Sequence, residues 1–129
     1  MDKISSIELK TKMMMYFRYK MRYIYIASEV GPYNSDVLAS NTKKIIEFEI
    51  KTSLSDFKNE FNKPKHSFYL KEKVTNRFVP NQFVFVAPHY LVDKVMPYLK
   101  NKPYGLVSVS NGVPTKLNRF CCKLVKKPT

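Results

Sequence analysis

The chain has 129 residues, with 23 lysines and arginines against 10 aspartates and glutamates, which gives a formal net charge of +13. A hydrophobic fraction of 44% and an aromatic fraction of 14% exclude a disordered protein and indicate a single domain over residues 1–129. The three glycines are too few for a glycine-rich phosphate loop, and no apolar run reaches the roughly 20 residues of a membrane span.

The N-terminal half predicts one helix and then a three-stranded meander. A serine cap followed by Glu8 in the first turn predicts a helix over about 6–19. Runs of β-forming residues predict strands at 23–27, 36–39 and 45–51, with turn residues between them. Strands that are short and consecutive in this way pair most simply with their neighbours in the chain.

The C-terminal half alternates helices with strands. Ser53 and Asp56 have capping-box spacing, which predicts that a helix begins there, while Ser53 contacting a phosphate remains an alternative. The predicted elements are helices at 53–61, 65–73, 90–99 and 117–125 and strands at 82–87 and 105–109. A meander followed by helical crossovers predicts a mixed sheet with helices on both faces.

The cysteines and the N-terminus indicate an intracellular protein. Cys121 and Cys122 are adjacent, a spacing that disfavours a disulfide and matches no zinc-binding pattern, so we expect two free thiols. The first residues lack the layout of a signal peptide, which predicts a cytoplasmic location. The positive charge favours a nucleic acid as partner; the alternatives are a basic surface that serves only solubility or one that coats anionic membranes.

Two carboxylates and a lysine lie on neighbouring predicted strands. Asp36 opens the second strand, and Glu49 and Lys51 are two residues apart on the third, so their side chains share a face. Two carboxylates can hold a hard divalent cation, and a lysine beside them can orient water or offset negative charge. The trio therefore predicts metal-assisted hydrolysis of a phosphodiester. The alternative is a polar strand start at Asp36 and a Glu49–Lys51 ion pair.

Longer stretches around this trio resemble the PD-(D/E)xK nucleases. That superfamily has an aspartate opening the second strand and Glu-x-Lys on the third, as in Asp36 and Glu49-Ile50-Lys51, although Ser35 stands where the name has proline. Over roughly residues 5–110 the chain is similar to small MmcB-like and phage-type nucleases. The shared stretches are Glu29-Val30, the run from Glu49 to Asp56-Phe57, and Lys65-His66 with Tyr69.

The resemblance implies a restriction-endonuclease-like fold, three layers α/β/α around a central mixed five-stranded sheet. It implies a Mg²⁺- or Mn²⁺-dependent DNA endonuclease that acts in DNA repair, recombination or phage DNA processing. Such domains often pair as homodimers to cut two strands. A non-catalytic DNA-binding accessory protein on the same fold is the alternative, and a protein-interaction factor is a third class.

The resemblance also assigns roles to residues. Asp36, Glu49 and the carbonyl of Ile50 would hold the cation, Glu29 would contact a second cation or its water, and Lys51 would position the attacking water. Glu29 as an exposed strand-end acid is the alternative, and Glu47 is expected to be solvated.

Basic and aromatic residues provide the expected contacts to nucleic acid. In the N-terminal segment arginines and lysine alternate with tyrosines, a pattern suited to phosphate contacts and base stacking, or else to a tyrosine core with solvated charges. A surface histidine is the alternative for His66. The residues expected to contact DNA are Arg18, Lys20, Arg22, Ser53, Lys65, His66 and Tyr69.

Overall fold

The protein is an α/β fold built on one mixed sheet of six strands. The computed structural model describes residues 3–30, 35–41, 43–62, 82–111 and 119–129. The strands are β1 (Tyr25–Val30), β2 (Ser35–Ser40), β3 (Ile45–Ile50), β4 (Gln82–Pro88), β5 (Gly105–Val109) and β6 (Cys122–Lys126).

The strands lie in the sheet in the order of the chain, from β1 at one edge to β6 at the other. The predicted meander is confirmed, because β1, β2 and β3 pair antiparallel. The parallel pairs are β3 with β4 and β4 with β5, and β6 then pairs antiparallel with β5. The carboxyl ends of three parallel strands therefore meet at one end of the sheet, the end at which open α/β sheets commonly bind ligands.

Three α-helices are described, and serine caps begin two of them. Helix α1 is Ser6–Met15, with the Ser5 side chain accepting the N–H of Glu8, and it continues into a π-helical turn, Tyr16–Lys20. Helix α2 is Leu54–Glu60, capped by Ser53, and a short 3₁₀ turn leads into α3, Val92–Leu99. No helix in the described part of the chain is long and apolar enough to cross a membrane.

Two hydrophobic cores cover the two faces of the sheet. On the first face, Leu9, Met13 and Phe17 of the N-terminal helical segment pack on alternate strand residues such as Phe48. On the second face, Phe57 of α2 and the apolar stripe of α3 pack on Phe83, Phe85, Ala87 and Leu106. Since neighbouring strand residues point to opposite faces, β4 is apolar on both sides and is buried along almost its whole length.

The C-terminal segment corrects two predictions, because the described sheet has six strands rather than five and β6, Cys122–Lys126, occupies the end of the helix predicted at 117–125. Leu124 packs with the first core and Val125 with the second, so the described apolar residues alternate as in a strand. Strand β6 completes the ladder of β5. At Gly105 an added Cβ would lie 2.8 Å from Cδ of Pro128. Glycine therefore allows β5 and the C-terminal segment to approach this closely. The helix predicted at 65–73 lies outside the described residues.

Candidate functional site

The structure brings Asp36, Glu49 and Lys51 together where β2 begins and β3 ends. Val37 lies opposite Phe48, so the next pair in this antiparallel register is Asp36 with Glu49. Oδ2 of Asp36 accepts the backbone N–H of Ile50 at 2.8 Å. Nζ of Lys51 lies 4.0 Å from Oε2 of Glu49, so these two side chains share the second face, as their spacing predicts.

A fourth residue, Glu60 of α2, is the nearer partner of this lysine. Its Oε1 lies 2.7 Å from Nζ of Lys51. Glu60 is completely buried, and the side chains of Lys51 and Glu49 are only 11% and 4% exposed. We call these three residues the carboxylate–lysine cluster. It places one ammonium against two carboxylates, which offsets the cost of burying each charge.

The prediction that Glu47 is solvated is wrong, because this side chain is completely buried. Glu47 lies opposite Leu38 of β2 and next to Phe83 of β4, so β3 is covered on both sides within the sheet. It has the parity of Glu49 and therefore points to the face that α2 and α3 cover. Position near the start of a strand does not give exposure when that strand is central.

In the register of β1 and β2, Glu29 lies opposite Asp36, but the contact described for its side chain is to Lys10. Its side chain is 70% exposed and its Oε1 lies 3.6 Å from Nζ of Lys10, on the helix that covers the first face. The backbone of Glu29 has a φ of 53°, the left-handed region that few residues other than glycine adopt. This geometry matches the alternative, an exposed strand-end acid paired with a lysine.

The donor set of the trio suits a small hard cation. Mg²⁺ uses one or two carboxylates and retains several waters, so Asp36 and Glu49 would be sufficient protein ligands, with the carbonyl of Ile50 beside them. Among the described residues no group of three or more histidine, cysteine, aspartate or glutamate side chains could hold a metal ion.

The residues expected to contact nucleic acid fall into three groups. Ser53 accepts the N–H of Asp56 at 3.2 Å and caps α2, which matches the capping prediction. Arg18 donates to the carbonyls of Tyr23 and Ile24 just before β1, and Lys20 and Arg22 beside it are exposed. Lys65, His66 and Tyr69 lie outside the described residues.

Arg18 and Asp36 lie at opposite ends of the β1–β2 hairpin. Tyr25, the residue after Ile24, pairs with Ser40 at the far end of β2. Asp36 lies four residues from Ser40 along β2, about 13 Å in an extended strand. The N-terminal basic segment also belongs to the first face, whereas Glu49 and Lys51 point to the second. The two predicted parts of one DNA site are therefore separated.

The cysteines and His89 are further titratable groups near the sheet. Cys121 and Cys122 are buried, and both are thiols rather than disulfide-bonded, as predicted. Burial, and then the neighbouring Cys121, raise the pKa of Cys122 to about 12, although Lys12 acts in the opposite direction. Nε2 of His89 is buried without a hydrogen-bond partner among the described residues, and its ring packs edge-on against Tyr90.

The chain matches no protein-family model, no curated protein and no solved structure. Its function therefore has to be inferred from the chemistry of its own side chains rather than from a relative.

Proposed function

We propose that the protein is a Mg²⁺- or Mn²⁺-dependent DNA endonuclease of the PD-(D/E)xK type. The observation that carries the proposal is the meeting of Asp36, Glu49 and Lys51 at the end of β3, with Lys51 on the same face as Glu49. Three chemically suited groups from two strands come together there, as the sequence motif requires. The net charge of +13 supplies long-range attraction for a polyanion such as DNA.

The proposal extends to the fold and the setting. Strands β1 to β5, with α1 on one face and α2 and α3 on the other, would form the restriction-endonuclease-like core of this proposal, and β6 would be an added edge strand. DNA would be the partner, and a homodimer would allow both strands to be cut. A role in cytoplasmic DNA repair, recombination or phage DNA processing follows from such an activity.

In this proposal each residue of the site has a defined task. Asp36 and Glu49 hold the cation, which supplies Lewis acidity and charge neutralisation at the phosphate when bound. Lys51 directs its ammonium at the negative charge that develops on the phosphoryl oxygens. Glu60, 2.7 Å from Nζ of Lys51, holds that ammonium in position from α2. The hydrogen bond from Ile50 to Asp36 fixes one carboxylate oxygen and leaves the other for the cation.

The test is cleavage of supercoiled, linear, single-stranded and branched DNA with Mg²⁺ or Mn²⁺, repeated with EDTA. We expect cleavage that EDTA abolishes, and a loss of at least about a hundredfold in Glu49→Gln and Lys51→Met, since each substitution removes a charge that acts in the transition state.

Glu47→Gln is the matched control for Glu49→Gln. Glu47 lies on the same strand and face and is equally buried, so both substitutions replace a buried carboxylate by an amide of the same shape. A nuclease centred on Glu49 keeps its activity in Glu47→Gln. An equal loss in both variants, or wild-type cleavage that EDTA leaves unchanged, would contradict the proposal.

A second candidate, binding of DNA without cleavage, is favoured by one contact. Lys51 lies nearer to Glu60 than to Glu49, so the cluster is also what a purely structural buried ion pair would look like. Wild-type protein that binds DNA with a steep salt dependence but cuts none of the four substrates would select this function.

A further inference from the structure

The first face carries a surface cleft between the π-helical turn and the edge strand β1. It has a volume of about 410 Å³ and is open to solvent. Its lining residues are Met14, Met15, Arg18, Tyr19, Ile24 and Ile26. Apolar side chains and one aromatic ring therefore surround a single arginine, and none of the lining residues is acidic.

Tyr19 belongs to an aromatic stack as well as to this cleft. Its ring lies nearly parallel to that of Phe120, with 6.2 Å between the centroids and 18° between the planes. The guanidinium carbon of Arg119 lies 5.9 Å from the centroid of Phe120. Tyr19 nevertheless remains 64% exposed, so its ring has surface left for another planar group. A stack of this kind favours a further aromatic ring in an offset arrangement.

Arg18 is held in place without losing its charge. Its Nη1 donates to the carbonyls of Tyr23 and Ile24, which orient the guanidinium beside the cleft. Within the described part of the chain Arg18 takes part in no ion pair, and the four described ion pairs all involve lysines. Neutral carbonyls fix the side chain while its positive charge and its remaining N–H groups stay available to an anion.

We propose that this cleft binds the unpaired bases of single-stranded nucleic acid. A base stacks on Tyr19 against the apolar floor of the cleft, and Arg18 contacts the adjoining phosphate. The cleft requires both a planar apolar group and a negative charge, and a nucleotide of a single strand presents both. In a duplex the base faces are covered by neighbouring base pairs, so only the phosphates, the sugars and the base edges are accessible without distortion.

The single-strand site is separate from the carboxylate–lysine cluster. The cleft lies on the face that α1 covers, whereas Glu49, Lys51 and Glu60 pack beneath α2 on the other face. The proposal therefore goes beyond the proposed nuclease and stands whether or not the protein cuts DNA. If cleavage also occurs, it takes place on a segment of the nucleic acid away from the bases held by Tyr19.

The first test measures affinity for a labelled oligothymidylate of about 12 nucleotides by fluorescence anisotropy, with EDTA present so that metal-dependent cleavage cannot interfere. We expect Tyr19→Leu to weaken binding about tenfold, because a leucine has no π-face for the base, and Tyr19→Phe to bind like the wild type.

Tyr25→Leu is the matched control. Tyr25 is 67% exposed, close to the 64% of Tyr19, but its strand parity directs it to the face opposite to Ile24 and Ile26. The same substitution at Tyr25 should leave the affinity unchanged. Equal losses at both tyrosines would overturn the proposal, as would an absence of binding to single strands.

The second test places a fluorescent reporter in the cleft. The chain has no tryptophan, so Tyr19→Trp places the only tryptophan at the proposed stacking surface, where it can be excited apart from the tyrosines. Oligothymidylate should quench its emission, whereas an abasic strand of the same length and charge should bind about tenfold more weakly and leave the emission unchanged. If the abasic strand or a duplex of the same length binds as tightly as oligothymidylate, base stacking contributes nothing to the affinity and the proposal is wrong.

Discussion

The carboxylate–lysine cluster and the single-strand cleft treat their charged groups in opposite ways. Lys51 is buried and contacts two carboxylates, so the fold itself satisfies its charge. Arg18 is exposed and, among the residues that the structure describes, its polar contacts are to the carbonyls of Tyr23 and Ile24, so its charge remains open to solvent. Burial against carboxylates satisfies the charge of Lys51 within the fold, whereas exposure leaves the charge of Arg18 open to solvent.

The largest effect that would distinguish the two regions is expected at Glu60. Glu60→Ala removes the nearest carboxylate from a buried ammonium, which should lower the free energy of unfolding by about 3–5 kcal/mol. Urea unfolding followed by circular dichroism measures this change.

Glu8 of α1 provides the matched control. It forms an ion pair of similar length, 3.0 Å, with Lys12, but on the surface of the helix. Glu8→Ala should cost less than about 1 kcal/mol because that pair is hydrated. The Lys51→Met, Glu60→Leu double variant should lose less than the sum of its single variants, since both charges of the Lys51–Glu60 pair are then removed together. Similar losses for Glu60→Ala and Glu8→Ala would show that burial does not distinguish the pairs.

High pH should weaken the first-face core through Cys122. Burial raises the pKa of this thiol to about 12, so the folded protein keeps a proton that the unfolded chain loses near its ordinary pKa. The unfolded state then binds fewer protons, and stability that is fully present below the unfolded pKa falls as the pH rises between about 9 and 12.

The measurement is urea unfolding at pH 8 and pH 10 for the wild type and Cys122→Ala. Between these pH values the wild type should lose about 1–2 kcal/mol more than the variant, in which this thiol is absent. Comparing each protein with itself removes the constant cost of the smaller side chain. An equal pH dependence in both would mean that the thiol ionises as readily in the folded state as in the unfolded state.

The smallest effect is expected from removing the serine caps of α1 and α2, and it should be equal for the two helices. Ser53→Ala and Ser5→Ala each remove a cap that accepts a backbone N–H, and each should cost about 1 kcal/mol. Ser6→Ala, inside α1 and exposed, should change stability by less than about 0.5 kcal/mol. Thermal unfolding measures all three. If only one of the two cap substitutions lowered the stability, the caps would not contribute equally, and this prediction would be wrong.

Much of the fold could be predicted because the local signals agreed with the tertiary structure. The meander, the cap at Ser53 and the buried strand β4 all follow from short stretches of sequence. The strand β6 could not be predicted, since Cys121, Leu124 and Val125 also fit a helical spacing. Its strand conformation is stabilised by pairing with β5, a contact between segments distant from one another in the sequence.

The candidate site could be predicted only for the residues on the neighbouring strands β2 and β3. Strand parity correctly placed Glu49 beside Lys51. Glu60 was missed because its role depends on how α2 packs, although a carboxylate three residues after the buried Phe57 lies on the same helix face and was a usable signal. The separation of Arg18 from Asp36 could not be read from the sequence, since it depends on which face α1 covers.

The most direct test of two separate tasks is to measure cleavage and oligothymidylate affinity for Glu49→Gln and Tyr19→Leu together with the wild type. The account predicts that Glu49→Gln loses cleavage but binds within about twofold of the wild type, whereas Tyr19→Leu binds about tenfold more weakly. Loss of binding in Glu49→Gln as large as its loss of cleavage, with unchanged binding in Tyr19→Leu, would contradict it.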